Sequence, residues 1–228
     1  MIGVFLGQAG KKIVLAFLVI FAWSSTGWAV KEYKPSPQEI KQLPQFCAWK
    51  FSGDPGLKRR GLKVLGEQFK NVHHLCTGLN FLNRYYRNMS APDAKSNLAR
   101  ALLDFNYMVD HMFPNSRLAG HIHLYRGITH DLMKHDLAAV EDYRKAIAYK
   151  PNLSKAYARL ADYYKKHGQK AVALKVVTEG LRHVPNSNAL KRRYLALGGK
   201  RPFPRPVKRT KKKERSTKPA SKSSPALS

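Results

Sequence analysis

Acidic residues are scarce in this chain of 228 residues, where 14 Asp and Glu stand against 42 Lys and Arg and leave a formal net charge of +28. Residues 201–228 hold ten basic residues and a single acid, so the larger share of the excess lies in the preceding part of the chain. Such a balance indicates little about the fold. It does favour anionic polymers, membrane surfaces or acidic proteins as partners.

Long apolar runs are absent as well, and none reaches the roughly 20 residues that a membrane-spanning helix needs. The most apolar stretch, residues 13–23, follows Lys11 and Lys12 and is succeeded by small and polar residues that end at Ala29. A positive flank, a short apolar run and a closing small residue predict a cleaved secretory signal peptide over residues 1–29. A retained membrane anchor is the alternative. We therefore expect a periplasmic or secreted protein with no transmembrane helix after cleavage.

Cysteine occurs only twice, at Cys47 and Cys76, both after the predicted signal peptide. An even number of cysteines in an oxidising compartment predicts a disulfide between them. The bond would close a loop of about 30 residues and contribute roughly 3 kcal/mol to stability by the chain-entropy argument.

Catalytic motifs are missing too. The sequence has no glycine-rich phosphate loop, no nucleophilic serine elbow, no haem attachment sequence and no pair of carboxylates on one helix face. We therefore predict a protein that is not an enzyme and that holds no cofactor or metal. The alternative is a metal or haem site at His73, His74 and Cys76, which a helix would bring within one turn. Against that alternative, zinc takes about four ligands, adjacent histidines point in different directions on a helix, and Cys76 serves the predicted disulfide.

What the sequence does contain is one helical unit of 34 residues written twice, from Gly120 and again from Ser154. Small and large residues coincide when the two copies are superimposed, and each copy closes with a proline. A fixed period of this size is typical of helix–turn–helix repeats, because small residues let two antiparallel helices approach while large residues fill the seam. The coincident pairs are Gly127 and Ala161, Ala139 and Ala173, Tyr143 and Val177, Ala146 and Gly180, and Pro151 and Pro185.

This pattern resembles the tetratricopeptide repeat family, which favours small residues at three fixed positions, an aromatic residue between the last two of them and a closing proline. The first copy fits all of these preferences, and the second departs from them at Val177, where an aromatic residue is usual. His123, Arg126 and His130 in the first copy stand where apolar residues are usual, so we expect its first helix to pack less conventionally. The resemblance implies an all-α, helical-hairpin repeat solenoid that serves as a binding scaffold.

The resemblance also implies a concave groove lined by the first helix of each repeat. The groove positions are mainly basic in the second copy and more apolar in the first, so an acidic, extended peptide or chain terminus is the expected partner. The alternative is that the basic residues form a solvated helix surface without a partner. The implied partner-binding residues are Lys155, Arg159, Asp162, Lys165 and Lys166 in the second copy, and His121, Leu124, Ile128, Asp131 and Leu132 in the first.

Helical periodicity extends on both sides of the two copies. Apolar residues at spacings of three and four predict helices over residues 65–87 and 92–112, which together resemble a further, degenerate hairpin. The predicted organisation is a signal peptide at 1–29, a partly irregular, disulfide-tied N-terminal segment at 30–64, a helical hairpin at 65–117, two repeats at 120–186, a capping helix at 187–199 and a disordered basic tail at 200–228.

The favoured function is an exported, non-enzymatic scaffold that binds a protein or peptide partner through its basic groove in the cell envelope. The alternative is a charge-driven binder of an anionic envelope polymer or membrane surface, and a metal- or haem-binding protein is third. Nucleic acid is not an expected partner. Export removes the chain from cytoplasmic nucleic acid, and Phe203 is the only aromatic residue of the tail that base stacking could use.

Overall fold

The computed structural model describes residues 33–207, and every regular element in that range is helical. The predicted all-α class is therefore confirmed for the described part of the chain, whereas the signal peptide predicted over residues 1–29 lies outside it. The helices are α1 (Pro37–Ile40), α2 (Gln45–Phe51), α3 (Pro55–Leu65), α4 (Val72–Arg87), α5 (Ala94–Asp110), α6 (Ala119–Leu132), α7 (Asp136–Tyr149), α8 (Ser154–Lys166), α9 (Lys170–His183) and α10 (Asn188–Ala196), with a 3-10 helix (Gly66–Lys70) after α3.

The N-terminal segment is more helical than its composition indicates, and side chains cap two of its helices, α1 and α3. The Ser36 hydroxyl accepts a hydrogen bond from the Glu39 amide, and the Glu39 carboxylate accepts one from the Ser36 amide. Asp54 likewise accepts hydrogen bonds from the amides of Gly56 and Leu57 at the start of α3. These side chains satisfy backbone groups that a helix terminus cannot pair within itself.

The first long helix begins later than the apolar spacing indicates. Leu65 ends α3, Gly66 adopts a positive φ of 63°, the 3-10 helix follows, and α4 starts only at Val72. The left-handed backbone at Gly66 stops the regular helix, and the spacing of apolar residues does not reveal such a break. The structure therefore corrects the helix predicted from residue 65, while its predicted end at Arg87 is confirmed.

Two attachments fasten the N-terminal segment to the first hairpin. Cys47 on α2 and Cys76 on α4 form the predicted disulfide, with their Cα atoms 5.6 Å apart and both residues fully buried. Farther along α4, the Arg84 guanidinium donates to both carboxylate oxygens of Glu39, at 2.6 and 2.8 Å. These hydrogen bonds lower the pKa of Glu39 to about 2, although burial acts in the opposite direction. The disulfide and this mostly buried ion pair thus both attach the N-terminal segment to α4.

Three helix pairs, α4 with α5, α6 with α7 and α8 with α9, make the most extensive contacts of the fold. The first two pairs approach closely at a glycine. A Cβ added to Gly78 would lie 2.8 Å from Cε1 of Phe105, and one added to Gly127 would lie 2.9 Å from Cδ1 of Tyr143. Both distances are shorter than van der Waals contact, so the approach of these helices requires a residue without a side chain.

The first two hairpins also share a polar pair, in which a histidine stands four residues before each of these glycines. His74 Nδ1 lies 2.8 Å from Oδ1 of Asp104, and His123 Nδ1 lies 2.8 Å from Oδ1 of Asp142. Both aspartates immediately precede the aromatic residue that packs on the glycine, and each is only 1% exposed. The α4–α5 pair therefore matches the α6–α7 pair at these four positions, although the connection after α4 is longer.

A ring at the end of the second helix, Tyr149 or His183, stacks at the same place in the second and third hairpins. In the third hairpin a tyrosine takes the place of the histidine. In the first hairpin the equivalent ring, His111, stacks on Tyr107, and Tyr107 itself lies tilted against the histidine. The ring pairs, with their centroid separations, are His123 and Tyr149 (5.4 Å), Tyr157 and His183 (6.2 Å), and in the first hairpin His74 and Tyr107 (3.8 Å), continued by Tyr107 and His111 (3.9 Å).

The hairpins follow one another through contacts of α5 with α6 and of α7 with α8, and α10 packs on both α8 and α9. Arg193 on α10 donates to the two carboxylate oxygens of Asp162 on α8, at 2.8 and 2.7 Å. The predicted capping helix within residues 187–199 is therefore observed as α10. Between residues 33 and 207, no helix combines the length and the apolar character that crossing a membrane requires.

The chain after α10 stays in contact with the helices for several residues. Phe203 packs against the core, and the Val207 amide donates to the Arg182 carbonyl at 2.9 Å. The sequence assigns residues 200–228 to a disordered tail, whereas residues 203 and 207 contact the helical part. Residues 208–228 lie outside the described residues.

Candidate functional site

A cavity of about 210 Å³ lies between α4, α6 and α8, the first helices of the three hairpins. Its side nearest the N-terminus consists of Gln42, Leu43 and Pro44, which connect α1 to α2. The cavity thus joins all three hairpins to the disulfide-tied segment. The other lining residues are Leu79, Leu82, Asn83 and Tyr86 from α4, Tyr125 and Ile128 from α6, and Lys155 and Arg159 from α8. We call it the three-helix cavity.

Two cations face this cavity, and none of its described lining residues is acidic. Although Lys155 as a whole residue is exposed, its ammonium group lies 5.2 Å from the centroid of the Tyr125 ring. Partial desolvation, together with the neighbouring Arg159, lowers the pKa of Lys155. A lowered lysine pKa means that the ammonium form is less stable at this position than it is in water. An anion bound beside Lys155 would stabilise the ammonium form.

Hydroxyl groups complete the polar side of the three-helix cavity. Burial raises the pKa of Tyr86, although the positive charge of the neighbouring Arg159 acts in the opposite direction. Burial also raises the pKa of Tyr125. Both phenols therefore remain protonated at neutral pH, and each can donate to an anionic acceptor.

The two predicted groove acids serve other contacts. Asp131 accepts a hydrogen bond from the Tyr143 hydroxyl at 3.4 Å, and burial, followed by the charge of Asp131, raises the pKa of Tyr143. Asp162 is held by Arg193 of the capping helix. Neither acid lines the cavity, so the cations there are not neutralised by lining carboxylates.

Five other predicted groove residues do not line the cavity either. Leu124 is 1% exposed and belongs to the core, and Leu132 is half-buried against it. His121 is also half-buried; its Nδ1 is buried without a hydrogen-bond partner among the described residues, and burial lowers its pKa. Lys165 and Lys166 are exposed at the end of α8.

Of the ten predicted groove residues, the structure therefore brings Ile128, Lys155 and Arg159 together at the cavity. The sequence interpretation did not extend the groove to α4, although the alignment of glycines in the sequence would have allowed it. If Gly78 is matched to Gly127, the same register selects further lining residues on α4, namely Leu79, Leu82 and Asn83. The period of 34 residues also aligns Tyr125 with Arg159, so the same register could have selected it, whereas no sequence pattern indicated the connection at residues 42–44.

The histidine-rich part of α4 offers little to a metal. Cys76 is bonded to Cys47 and has no thiolate to donate, and His74 Nδ1 is occupied by Asp104. Burial, followed by the neighbouring His74, lowers the pKa of His73. Across residues 33–207, no group of three or more ligating side chains converges on a point where an ion could bind.

Comparison with known proteins adds no functional assignment. No model of a known protein family matches the chain, and no curated protein matches it. The function must therefore be argued from the chemistry of the site itself.

Proposed function

We propose that this protein is a non-enzymatic scaffold of the tetratricopeptide-repeat type that binds an acidic protein or peptide in the three-helix cavity and along the groove around it. The observation that carries the proposal is the pair of cations Lys155 and Arg159, which face a cavity with no acidic lining residue. A carboxylate of the partner would accept hydrogen bonds from these cations and from the hydroxyls of Tyr86 and Tyr125, and charge-assisted bonds of this kind are the stronger ones.

The repeat interpretation is supported by the correspondence between hairpins. Gly78 and Gly127 pack on the aromatic residues Phe105 and Tyr143 with nearly the same geometry, and each follows a histidine paired with an aspartate. Stacked hairpins of one kind present their first helices side by side. Such a surface suits an extended peptide, with apolar side chains received beside Leu79 and Ile128.

The proposed compartment is the periplasm or the exterior of the cell. The buried disulfide between Cys47 and Cys76 is consistent with an oxidising environment, since such bonds are rare where thiols are kept reduced. A partner protein in the cell envelope would meet the groove there, and the charge of +28 would speed its encounter with an acidic surface.

A defined peptide tests the proposal. The probe is a fluorescein-labelled heptapeptide of alternating Glu and Leu with a free C-terminal carboxylate, and its amidated form serves as the first control. The test variant is Lys155→Glu with Arg159→Glu. The matched control is Lys165→Glu with Lys166→Glu, which makes the same charge change on the same helix at exposed positions outside the cavity.

Fluorescence anisotropy should show saturable binding that the test variant weakens about tenfold or more and the control variant by less than about threefold. Binding should also persist at about 0.5 M salt, where the Debye length is only about 4 Å. Equal losses in the two variants, together with release at high salt, would instead support the charge-driven binder of an anionic surface. Circular dichroism of each variant checks that the helices are intact.

A further inference from the structure

A second and larger cleft, of about 910 Å³, lies where the end of α5, the loop after it, the start of α6 and the end of α7 meet. It shares no lining residue with the three-helix cavity. One part of its lining is apolar and another is basic, and none of its described lining residues is acidic. The apolar residues are Val109, Met112, Phe113 and Pro114, the basic ones are Arg117, His123, Lys145 and Lys150, and Tyr149 adds an aromatic ring.

His123 is the buried member of this set. It is only 3% exposed, and its Nδ1 lies 2.8 Å from Oδ1 of Asp142, which also accepts two hydrogen bonds from Arg126 at 2.8 Å. Within residues 33–207, no hydrogen bond reaches the other ring nitrogen, Nε2, and this nitrogen is not fully buried. Because His123 lines the cleft, its imidazole offers a ligand there a nitrogen that is not engaged by the protein.

The equivalent place in the first hairpin shows how the second one differs. His74 has the same pairing with Asp104, but the Tyr107 ring covers it at 3.8 Å, and Lys145 stands at the position that matches Tyr107. The α6–α7 hairpin therefore has a lysine at this position, and the ring that stacks on His123 is Tyr149, at 5.4 Å. The Lys145 ammonium group at the cleft is paired with Glu141.

We propose that this cleft binds a phosphate group carried on an apolar or aromatic substituent. Arg117 in the loop, His123 on α6 and Lys150 after α7 approach from three elements, which suits a tetrahedral oxyanion that accepts hydrogen bonds from several directions. Lys145 already pairs with Glu141 at 2.6 Å, so the proposal does not depend on it. The apolar residues at the end of α5 would receive the substituent.

Phenyl phosphate is the probe, titrated into the disulfide-bonded full chain by isothermal titration calorimetry. It should bind saturably at one site and more tightly than inorganic phosphate, which lacks the ring. His123→Gln should weaken binding about tenfold or more, because a hydrogen bond to a charged group is lost. His74→Gln is the matched control, since it removes the same kind of pair outside the cleft and should change affinity by less than about twofold.

Arg117→Ala with Lys150→Ala provides a second variant should His123→Gln fail to fold. It should also weaken binding about tenfold or more, whereas Lys155→Glu with Arg159→Glu should leave the affinity unchanged. The absence of saturable binding would overturn the proposal. So would an equal loss in His123→Gln and His74→Gln, or a similar loss with the Lys155 and Arg159 reversal, because the phosphate would then be held by net charge.

Vesicles distinguish the two sources of such a phosphate. Cosedimentation with phosphatidylcholine vesicles, with and without phosphatidic acid, is compared for the unaltered chain and His123→Gln. A dependence on both phosphatidic acid and His123 identifies a lipid headgroup as the ligand. Binding of phenyl phosphate without any such dependence on vesicles identifies a soluble organic phosphate.

Discussion

Replacing Glu39 by Gln should remove an acid-sensitive part of the protein's stability. The pKa of Glu39 is held at about 2, against an ordinary value of 4.5, chiefly by hydrogen bonds from Arg84. A carboxyl group whose pKa is depressed on folding stabilises the folded state above its unfolded pKa. That stabilisation is lost as the pH falls through the folded value. The loss should therefore occur between about pH 4.5 and pH 2.

The size of the effect follows from the shift and from the exposure of the pair. A shift from 4.5 to about 2, at about 1.36 kcal/mol per pKa unit, sets an upper limit of about 3 kcal/mol. The Glu39 side chain is 11% exposed and that of Arg84 is 6% exposed, so solvent screens the pair only partly. Allowing for that screening, we expect about 1–2 kcal/mol.

Urea unfolding between pH 7 and pH 2, with the disulfide intact, measures the difference. The unaltered chain should be more stable than Glu39→Gln at pH 7, and the two should converge as the pH approaches 2. Glu67→Gln is the control, because Glu67 pairs with Lys70 at the surface and should show no comparable convergence. A difference between the unaltered chain and Glu39→Gln that is absent at pH 7, or constant down to pH 2, would refute the reasoning.

Two further predictions concern the packing of the helices. Replacing Cys47 and Cys76 by Ser should lower the free energy of unfolding by about 2–4 kcal/mol, measured in urea. Thiol labelling of the unreduced protein should find no free cysteine, and ready labelling would contradict the bond. Gly127→Ala should cost about 1–3 kcal/mol in thermal unfolding, because the new Cβ would lie 2.9 Å from Tyr143, and an unchanged midpoint would contradict the close approach of α6 and α7.

Local patterns predicted much of the helical framework. The period of 34 residues located four helices, α6 to α9, because each hairpin buries its small residues at fixed spacings; Ala139, Ala146 and Ala173 are all fully buried. The expected export and the even cysteine count predicted the disulfide, which the structure confirms. These features depend on residues close in sequence or on a rule of composition.

Features that depend on distant contacts were beyond such patterns. Gly66 interrupts the predicted first helix through its backbone conformation rather than through a change in apolar spacing. Asp162 was predicted to line a groove, yet Arg193 on α10 forms an ion pair with it. The connection at residues 42–44 lies at the cavity because Cys47 and Glu39 are attached to α4. The spacing of residues along the sequence does not predict these two attachments.

The three-helix cavity couples binding to the integrity of the whole stack. Its cations lie on α8, Tyr125 lies on α6 and Tyr86 on α4, so a complete site exists only when all three hairpins are docked. A ligand that bridges these helices would bind the fully stacked state and not a state in which α8 to α10 have opened. By mass action it would then suppress that partial unfolding. Slower hydrogen exchange in α8 to α10 would accordingly report occupancy of a site whose other walls lie on α4 and α6.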